Sequence, residues 1–333
     1  MILVTGATGL VGSHLLLHLV EAGYQVRGIF REQKNIAKTK NLFSLYNKLS
    51  LFENIEWMHA DLNDLPSLED AFQNVTEVYH CAALISFDPD DHEKLRKVNI
   101  EGTANIVNFC LAYNVRKLCH VSSIAALGDL KEHESVITEE MEWNPEKPHN
   151  DYSITKYGAE MEIWRGQQEG LNAVIVNPGI ILGAGFWGDG SGEFFSRVQN
   201  GLKFYTLGTA GFVDVWDVVT LMKILMESDL SAERFTIVAE TLSFRDVLIE
   251  ISTALKVSPP SIYAKPYMTS LAWKVDWLLS KIGFRRNLTQ DDVRALHSTT
   301  IMSNEKIREK TGFEFTPIKK SIHSIVRVQK SAS

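Results

Sequence analysis

Residues 1–12, MILVTGATGLVG, decide how the chain folds. The first five are apolar or β-branched and read as a short buried strand. Gly6, Gly9 and Gly12 then follow at intervals of three, and LVGSHLLLHLVEAG continues as a helix that stops at Gly23. Glycines between a first strand and a first helix permit a tight turn, close approach of backbone to a pyrophosphate, and close helix–strand packing. The helix N-terminus then turns free N–H groups and a positive dipole end toward the phosphates. The spacing is GxxGxxG, one residue longer at the front than the usual dinucleotide fingerprint. A plain structural turn would use the same residues, so the weight lies in what comes next.

Short apolar runs alternate with helical periods through the first half: YQVRGIF, IEWMHA, TEVYHCA and KLCHVSS as strands two to five, and AVIVNPG as a sixth. Strands separated by helices, without hairpin turns, imply a parallel sheet with crossover helices. The polar stretch 34–54 reads as a partly helical excursion. Beyond residue 179 the texture changes to a glycine-rich loop, LGAGFWGDGSGEFF. FVDVWDVVTLMKILME then returns to a strand-like start and a helix, and mostly helical segments follow from about 240. The expected fold is α/β, a Rossmann-type doubly wound parallel sheet with a smaller, mostly helical C-terminal substrate lobe. Residues 1–178, with 207–238 returning to it, form the dinucleotide-binding domain in this reading. Residues 179–206 and 239–330 form the lobe. Phe186 and Trp187 in the glycine-rich loop are candidates for a lid, and Met268, Trp273 and Trp277 read as the buried stripe of a lobe helix, with the lining of a hydrophobic pocket as the alternative.

Composition bounds the function. The chain has 333 residues, 45% hydrophobic and 23% charged, which is ample for a packed core. Its net charge of −7 argues against a general nucleic-acid binder. Cys81, Cys110 and Cys119 are three in number with no CxxC pair, so neither disulfides nor a metal site is signalled, and reduced thiols in a cytoplasmic protein are expected. No leader is expected at the N-terminus. The most apolar stretch, NAVIVNPGIILGAGFW, is too short to span a bilayer, so no membrane partner is expected either.

YSITK, at residues 152–156, places a phenol one helical turn before an ammonium. A phenol titrates near ~10, and a nearby ammonium favours the phenolate. Ser123 ends strand five at the carboxyl edge, where open α/β sheets bind ligands. Three groups from separate segments would thus converge on one crevice.

The chain resembles the extended short-chain dehydrogenase/reductases, the NAD(P)-dependent epimerase/dehydratase group. The matching stretches are TGATGLVG at 5–12, ADL at 60–62, HCAA at 80–83, VNIEGTANI at 98–106, VSSIAALG at 121–128, YSITK at 152–156 and NPGIILG at 177–183. FVDVWDVV at 212–219 and TGFEFTPIKKSI at 311–322 extend the resemblance over nearly the whole chain. It implies Tyr152 as general acid/base, Lys156 as the group that lowers the tyrosine's pKa and binds the nicotinamide ribose, and Ser123 as the substrate-oxygen partner. The implied cofactor contacts are Gly6, Thr8, Gly9, Leu10, Val11 and Gly12 in the loop. Asp61 and Leu62 follow strand three, Cys81, Ala82 and Ala83 follow strand four, and Pro178 and Ile181 wall the nicotinamide. Asn99 looks structural.

GYQVRGIFR resembles the dihydroflavonol-4-reductase branch, in which Arg31 and Lys38 hold a 2′-phosphate. NADP is therefore favoured over NAD, although Glu32 is placed to accept from a ribose hydroxyl. Gly128 stands where flavonoid reductases carry a substrate-contacting asparagine. Gly211 stands near the place where nucleotide-sugar enzymes carry a diphosphate-binding arginine, with Arg245, Arg285 or Arg286 as candidate replacements. The expected activity is hydride transfer between nicotinamide and a small-molecule ketone, aldehyde or secondary alcohol. The alternatives are a nucleotide-sugar epimerase or dehydratase and a non-catalytic dinucleotide-binding sensor or scaffold. Pairing through helices near 92–113 and 152–169 would give a homodimer.

Overall fold

A computed structural model describes residues 1–86, 88–131, 133–280 and 290–331. Seven strands make one parallel sheet: β1 (Ile2–Thr5), β2 (Val26–Phe30), β3 (Ile55–His59), β4 (Glu77–His80), β5 (Lys117–Val121), β6 (Ala173–Pro178) and β7 (Glu233–Ile237). Their spatial order is β7-β6-β5-β4-β1-β2-β3. The sheet is buried on both faces, and alternate residues supply each face. Ile2, Val4, Cys119, Val121, Val174 and Val176 join one apolar cluster, with helices Leu10–Glu21 and Val215–Glu227. Leu3, Leu118, Ala173 and Ile175 join the other, with helices Leu65–Ala71, Gly102–Ala112 and Asp151–Gln168. The period of two in the strands therefore becomes the two-sided core of a doubly wound sheet. Each such aliphatic side chain, fully buried, contributes about 1.5–3 kcal/mol.

Buried polar groups fix the helices on this sheet. Lys117 is 1% exposed, and its ammonium donates to the carbonyls of Leu225 and Ser228 at 2.7 Å, capping the end of helix Val215–Glu227. At that helix's start, Asp214 accepts from the Trp216 N–H and from the Ser321 hydroxyl. Asp217 accepts from the Thr316 N–H and hydroxyl at 2.7 and 2.9 Å. The acids of FVDVWD thus tether the chain's last helix, Ile318–Lys330.

The sequence reading gave FVDV as a strand-like start within residues 207–238 of the dinucleotide-binding domain. The strand is Thr209–Asp214, and it is the centre of a separate three-stranded sheet, between Ile180–Leu182 (parallel) and Glu240–Ser243 (antiparallel). What does return to the main sheet is the helix after it and then β7, whose ERFTI pattern escaped the reading. The excursion 34–54 contains helix Ile36–Leu45. The lobe's apolar cluster is built on helices Glu193–Gln199, Phe244–Leu255 and Ile318–Lys330. Phe186 is buried, and Trp187 stacks on Phe195 at 5.2 Å and packs against the lobe's apolar cluster. Helix Pro266–Ser280 also departs from expectation: Trp277 is exposed, and the large apolar residues Tyr267, Leu271, Val275 and Leu278 face outward. Arg285 and Arg286 lie outside the described residues. Among the described residues no helix is long and apolar enough to cross a membrane.

Candidate active site

The order of the strands reverses between β1 and β4, so the loops that follow them border the crevice at the sheet's carboxyl edge. Gly6 sits at φ +63°, and a Cβ there would lie 2.7 Å from the Ala82 nitrogen just past β4. Gly12 has the backbone of Gly6 and Ala7 against it, with a Cβ falling 2.8 Å from Gly6 C and 3.0 Å from Ala7 Cα. Gly9 differs: it is exposed, and the nearest atom to its Cβ position is the Gly6 carbonyl oxygen at 3.4 Å. Helix Leu10–Glu21 starts from Gly9 with no side-chain cap and no acidic residue in its first turn. Its N–H groups are left for an anionic ligand. Thr8, Leu10 and Val11 are half-buried around it.

Beneath the loop runs a closed chain of hydrogen bonds. The Ala82 N–H donates to the Thr5 hydroxyl, which meets His80 Nδ1 at 2.7 Å; His80 Nε2 meets the Thr103 hydroxyl, which donates to the Asn99 carbonyl. Each group has one role if His80 is neutral, with its proton on Nε2. Burial supports this, pushing His80 down to about 3. Asn99, on the π-helical turn Arg96–Glu101, accepts from the Leu84 N–H at 2.7 Å and donates to the Leu84 carbonyl and the Thr155 hydroxyl. It ties the segment carrying Cys81, Ala82 and Ala83 to the helix that carries Tyr152.

Asn150 caps that helix, accepting from the Ser153 N–H at 2.7 Å, so Tyr152 lies in its first turn. The Ser123 hydroxyl stands close enough to the Tyr152 phenol to act on its titration. Burial raises the phenol's pKa, and the Ser123 hydroxyl opposes it by favouring the phenolate. Ser123 also accepts from the Ala125 N–H at 3.1 Å. Lys156 is 1% exposed, and its ammonium donates to the Val121 carbonyl at 2.8 Å. Burial pushes it down to about 8, with Glu160 and Cys81 pulling the other way.

Sequence reasoning missed the group behind this pair. Glu160, one further turn along the helix, accepts from Asn177 at 2.5 Å and pairs with Arg234 at 3.1 Å. Asn177 also donates to the Ser123 carbonyl at 2.9 Å, and Arg234 grips the carbonyls of Glu139 and Met141. Spacing could have revealed Glu160, which stands four residues after Lys156 on one helical face.

The remaining positions are mixed. Pro178 is buried at the end of β6, and Ile181 is half-buried beyond it. Asp61 accepts from the Asn63 N–H at 2.9 Å, a local turn, while Leu62 is buried and its carbonyl accepts from Asn105. Arg31 is exposed at the end of β2. Lys38 is committed elsewhere, to Asp189 of the glycine-rich loop at 2.6 Å, and Lys34 pairs with Glu32. A surface hollow of 540 Å³ beside Asp129, Trp143 and Lys147 includes none of these crevice residues. Among the described residues no His, Cys, Asp or Glu cluster is arranged for a metal. Cys110 and Cys119 are buried and unpaired, as is the half-buried Cys81.

A doubly wound sheet with a glycine loop at its switch point defines a dinucleotide-binding protein. The chain belongs to the NAD dependent epimerase/dehydratase family, whose profile matches residues 2–237. It is 30% identical over 248 residues to sterol demethylase protein B of Methylococcus capsulatus, covering 74% of this chain and 72% of that protein. It is 27% identical over 339 residues to cinnamoyl-CoA reductase 1 of Petunia hybrida, covering 98% and 91%. A dihydroflavonol 4-reductase of Arabidopsis thaliana is 30% identical over 190 residues, 54% of this chain and 49% of that protein. The crystal structure of gox2253 superposes with a TM-score of 0.81 at 25% identity, covering 99% and 98%.

Proposed function

We propose that the protein is an NAD(P)-dependent reductase or dehydrogenase that moves a hydride between nicotinamide and a carbonyl or secondary-alcohol carbon. One observation carries the reading: the Ser123 hydroxyl at the end of β5 stands beside the Tyr152 phenol, with the buried Lys156 ammonium one turn from the tyrosine. Two neighbouring hydroxyls can hold one substrate oxygen, Ser123 orienting it and Tyr152 giving or taking the proton. A bound nicotinamide would supply the hydride. Lys156 would hold its ribose, and an ammonium placed there would favour the phenolate. The crevice between the loops after β1 and β4 fits the dinucleotide, since Gly9 leaves its approach open and no carboxylate guards the helix start. Residues 179–206 and 239–330 are taken as the substrate lobe.

Two glycines narrow the substrate. A Cβ at Gly128 would overlap the backbone of Met141 and Glu142, so an asparagine cannot stand there without moving that segment. A Cβ at Gly211 would lie 2.8 Å from a Val238 methyl, so a diphosphate-binding arginine there would require that side chain to shift. Both departures favour an apolar carbonyl compound over a flavonoid or a sugar nucleotide. Arg31 is the residue best placed for a 2′-phosphate, and this favours NADP.

The test is a fluorescence titration with NADPH and NADH, then turnover on a panel of carbonyl compounds and UDP-sugars. Tyr152→Phe should cut kcat by about 10²–10⁴-fold while changing cofactor affinity less than about twofold. Interconversion of a UDP-sugar without net cofactor change, or undiminished turnover in Tyr152→Phe, overturns the proposal.

A further inference from the structure

Helix Pro266–Ser280 is built inside out. Tyr267, Leu271, Val275 and Leu278 share one face and are 67%, 62%, 50% and 61% exposed. The opposite face carries Thr269, Trp273 and Asp276, buried or half-buried, and Thr269 is hydrogen-bonded there to His297 at 2.9 Å. A helix resting on a core normally does the reverse, so the outer face of this one is shaped for an apolar surrounding. It is not isolated. The preceding ribbon pairs Phe204 with Ile262, both exposed, and among the described residues eight of the fourteen exposed large apolar side chains fall within residues 204–278. That concentration exceeds the scattered exposure of an ordinary surface.

Charge identifies what covers it. Lys203, Lys256, Lys265 and Lys274 are exposed around these elements. The only acid in residues 256–280 is Asp276, on the inner face, although the chain as a whole carries −7. A second copy meeting this face about a two-fold axis would set the same lysines against each other. A bilayer presents acyl chains to the apolar ridge and anionic headgroups to the lysines. At fifteen residues, interrupted by Lys274 and Asp276, the helix is too short and too polar to cross a membrane, but its pattern suits lying in the interface. The sequence reading expected no membrane partner because it weighed only spanning segments.

We propose that the outer face of helix Pro266–Ser280, with the Phe204–Ile262 ribbon, docks the protein on an anionic lipid surface. The inference rests on this surface alone and stands apart from the hydride-transfer reading.

The test is flotation of the full chain with vesicles of phosphatidylcholine, alone or mixed with phosphatidylglycerol. The protein should float with the mixed vesicles and lose much of that binding in high salt. Leu271→Glu combined with Leu278→Glu should lower partitioning at least about tenfold, since both side chains enter the apolar layer. Lys265→Ala and Lys274→Ala should each cost about fivefold on anionic vesicles and little on neutral ones. All four positions are exposed, so thermal melts should match the wild type and separate lost docking from lost folding. Failure of the wild type to float with anionic vesicles at low salt overturns the proposal. So does a wild-type dimer in sedimentation that the Leu271→Glu/Leu278→Glu variant abolishes, because a second copy would then be the occupant.

Discussion

Gly9 and Gly12 should respond oppositely to one added methyl group. At Gly12 the new Cβ lies 2.8 Å from Gly6 C and 3.0 Å from Ala7 Cα, and closer still to the Gly6 oxygen. Carbon atoms rest near 3.5–4.0 Å, so helix and loop must part by roughly 1 Å. Overpacking of this kind costs about 1–3 kcal/mol, or more where backbone must move. For a chain of this size that is a fall of roughly 1–4 °C in Tm. At Gly9 the backbone is at φ −96°, which alanine adopts freely, and the Cβ meets only ordinary contact at 3.4 Å. Gly9→Ala should therefore change stability by less than about 1 kcal/mol. Its methyl would occupy the approach to the free helix N–H groups and hold a pyrophosphate off. Losing one charged hydrogen bond, at about 1.5–3 kcal/mol, weakens binding by about tenfold to somewhat over a hundredfold. Thermal melts and NADPH fluorescence titrations on both variants decide the matter. A Gly9→Ala protein that melts like the wild type and binds either cofactor within twofold of it would falsify the placement of the pyrophosphate.

Three further outcomes follow from the charges. Asp189→Asn should release Lys38 and tighten NADPH by up to about fivefold at low salt, the range of an exposed pair, while leaving NADH unchanged; equal gains for both cofactors would remove Lys38 from the 2′-phosphate. Lys156 titrates near 8 in the fold against 10.5 when free, so the unfolded chain holds the extra proton between those values and this group makes stability rise with pH there. The stability difference between wild type and Lys156→Met, from urea melts, should accordingly grow by up to about 1.4 kcal/mol per pH unit above pH 8, and a flat difference refutes the burial of a charged amine. Burial holds His14 near 4, His80 near 3 and His120 well below its ordinary value, all neutral in the fold. Their contribution is complete above about 6.5 and drains away as pH falls, so urea melts should show steep loss between pH 6.5 and 5 with uptake of two to three protons; uptake of fewer than one would show that these imidazoles are already charged in the native state.

How far the sequence could be read depended on the range of the interaction. The strands before residue 125 and the helix stop at Gly23 follow from local period and turn residues, which are properties of neighbouring residues, whereas the pairing of Ser123 with Tyr152, 29 residues apart, was reached through the strand-end position of the serine and the family resemblance. The fate of FVDV was not local. Its apolar pattern suits either sheet, and the choice rests on pairing with Ile180–Leu182, some thirty residues earlier. β7 was overlooked because Glu233 and Arg234 give it a polar start. Their polarity is satisfied only in the fold, by Lys306 and by Glu160. Lys38 was assigned from its place after β2, and nothing nearby in sequence announced Asp189. The outward ridge of helix Pro266–Ser280 was legible as a stripe, but periodicity gives a face and not its direction.

Arg234 has a consequence for how the protein is made. It sits on the last strand of the main sheet, yet it anchors Glu160 and the segment at 139–141, and through Asn177 the same cluster reaches the Ser123 carbonyl. A nascent chain that has emerged only through residue 200 already contains Ser123, Tyr152 and Lys156 without the guanidinium that locks their support. During vectorial synthesis the crevice should thus mature late, once β7 has docked beside β6. Ribosome-stalled chains of increasing length should gain protease resistance in the 139–160 region only after residue 237 has cleared the exit tunnel.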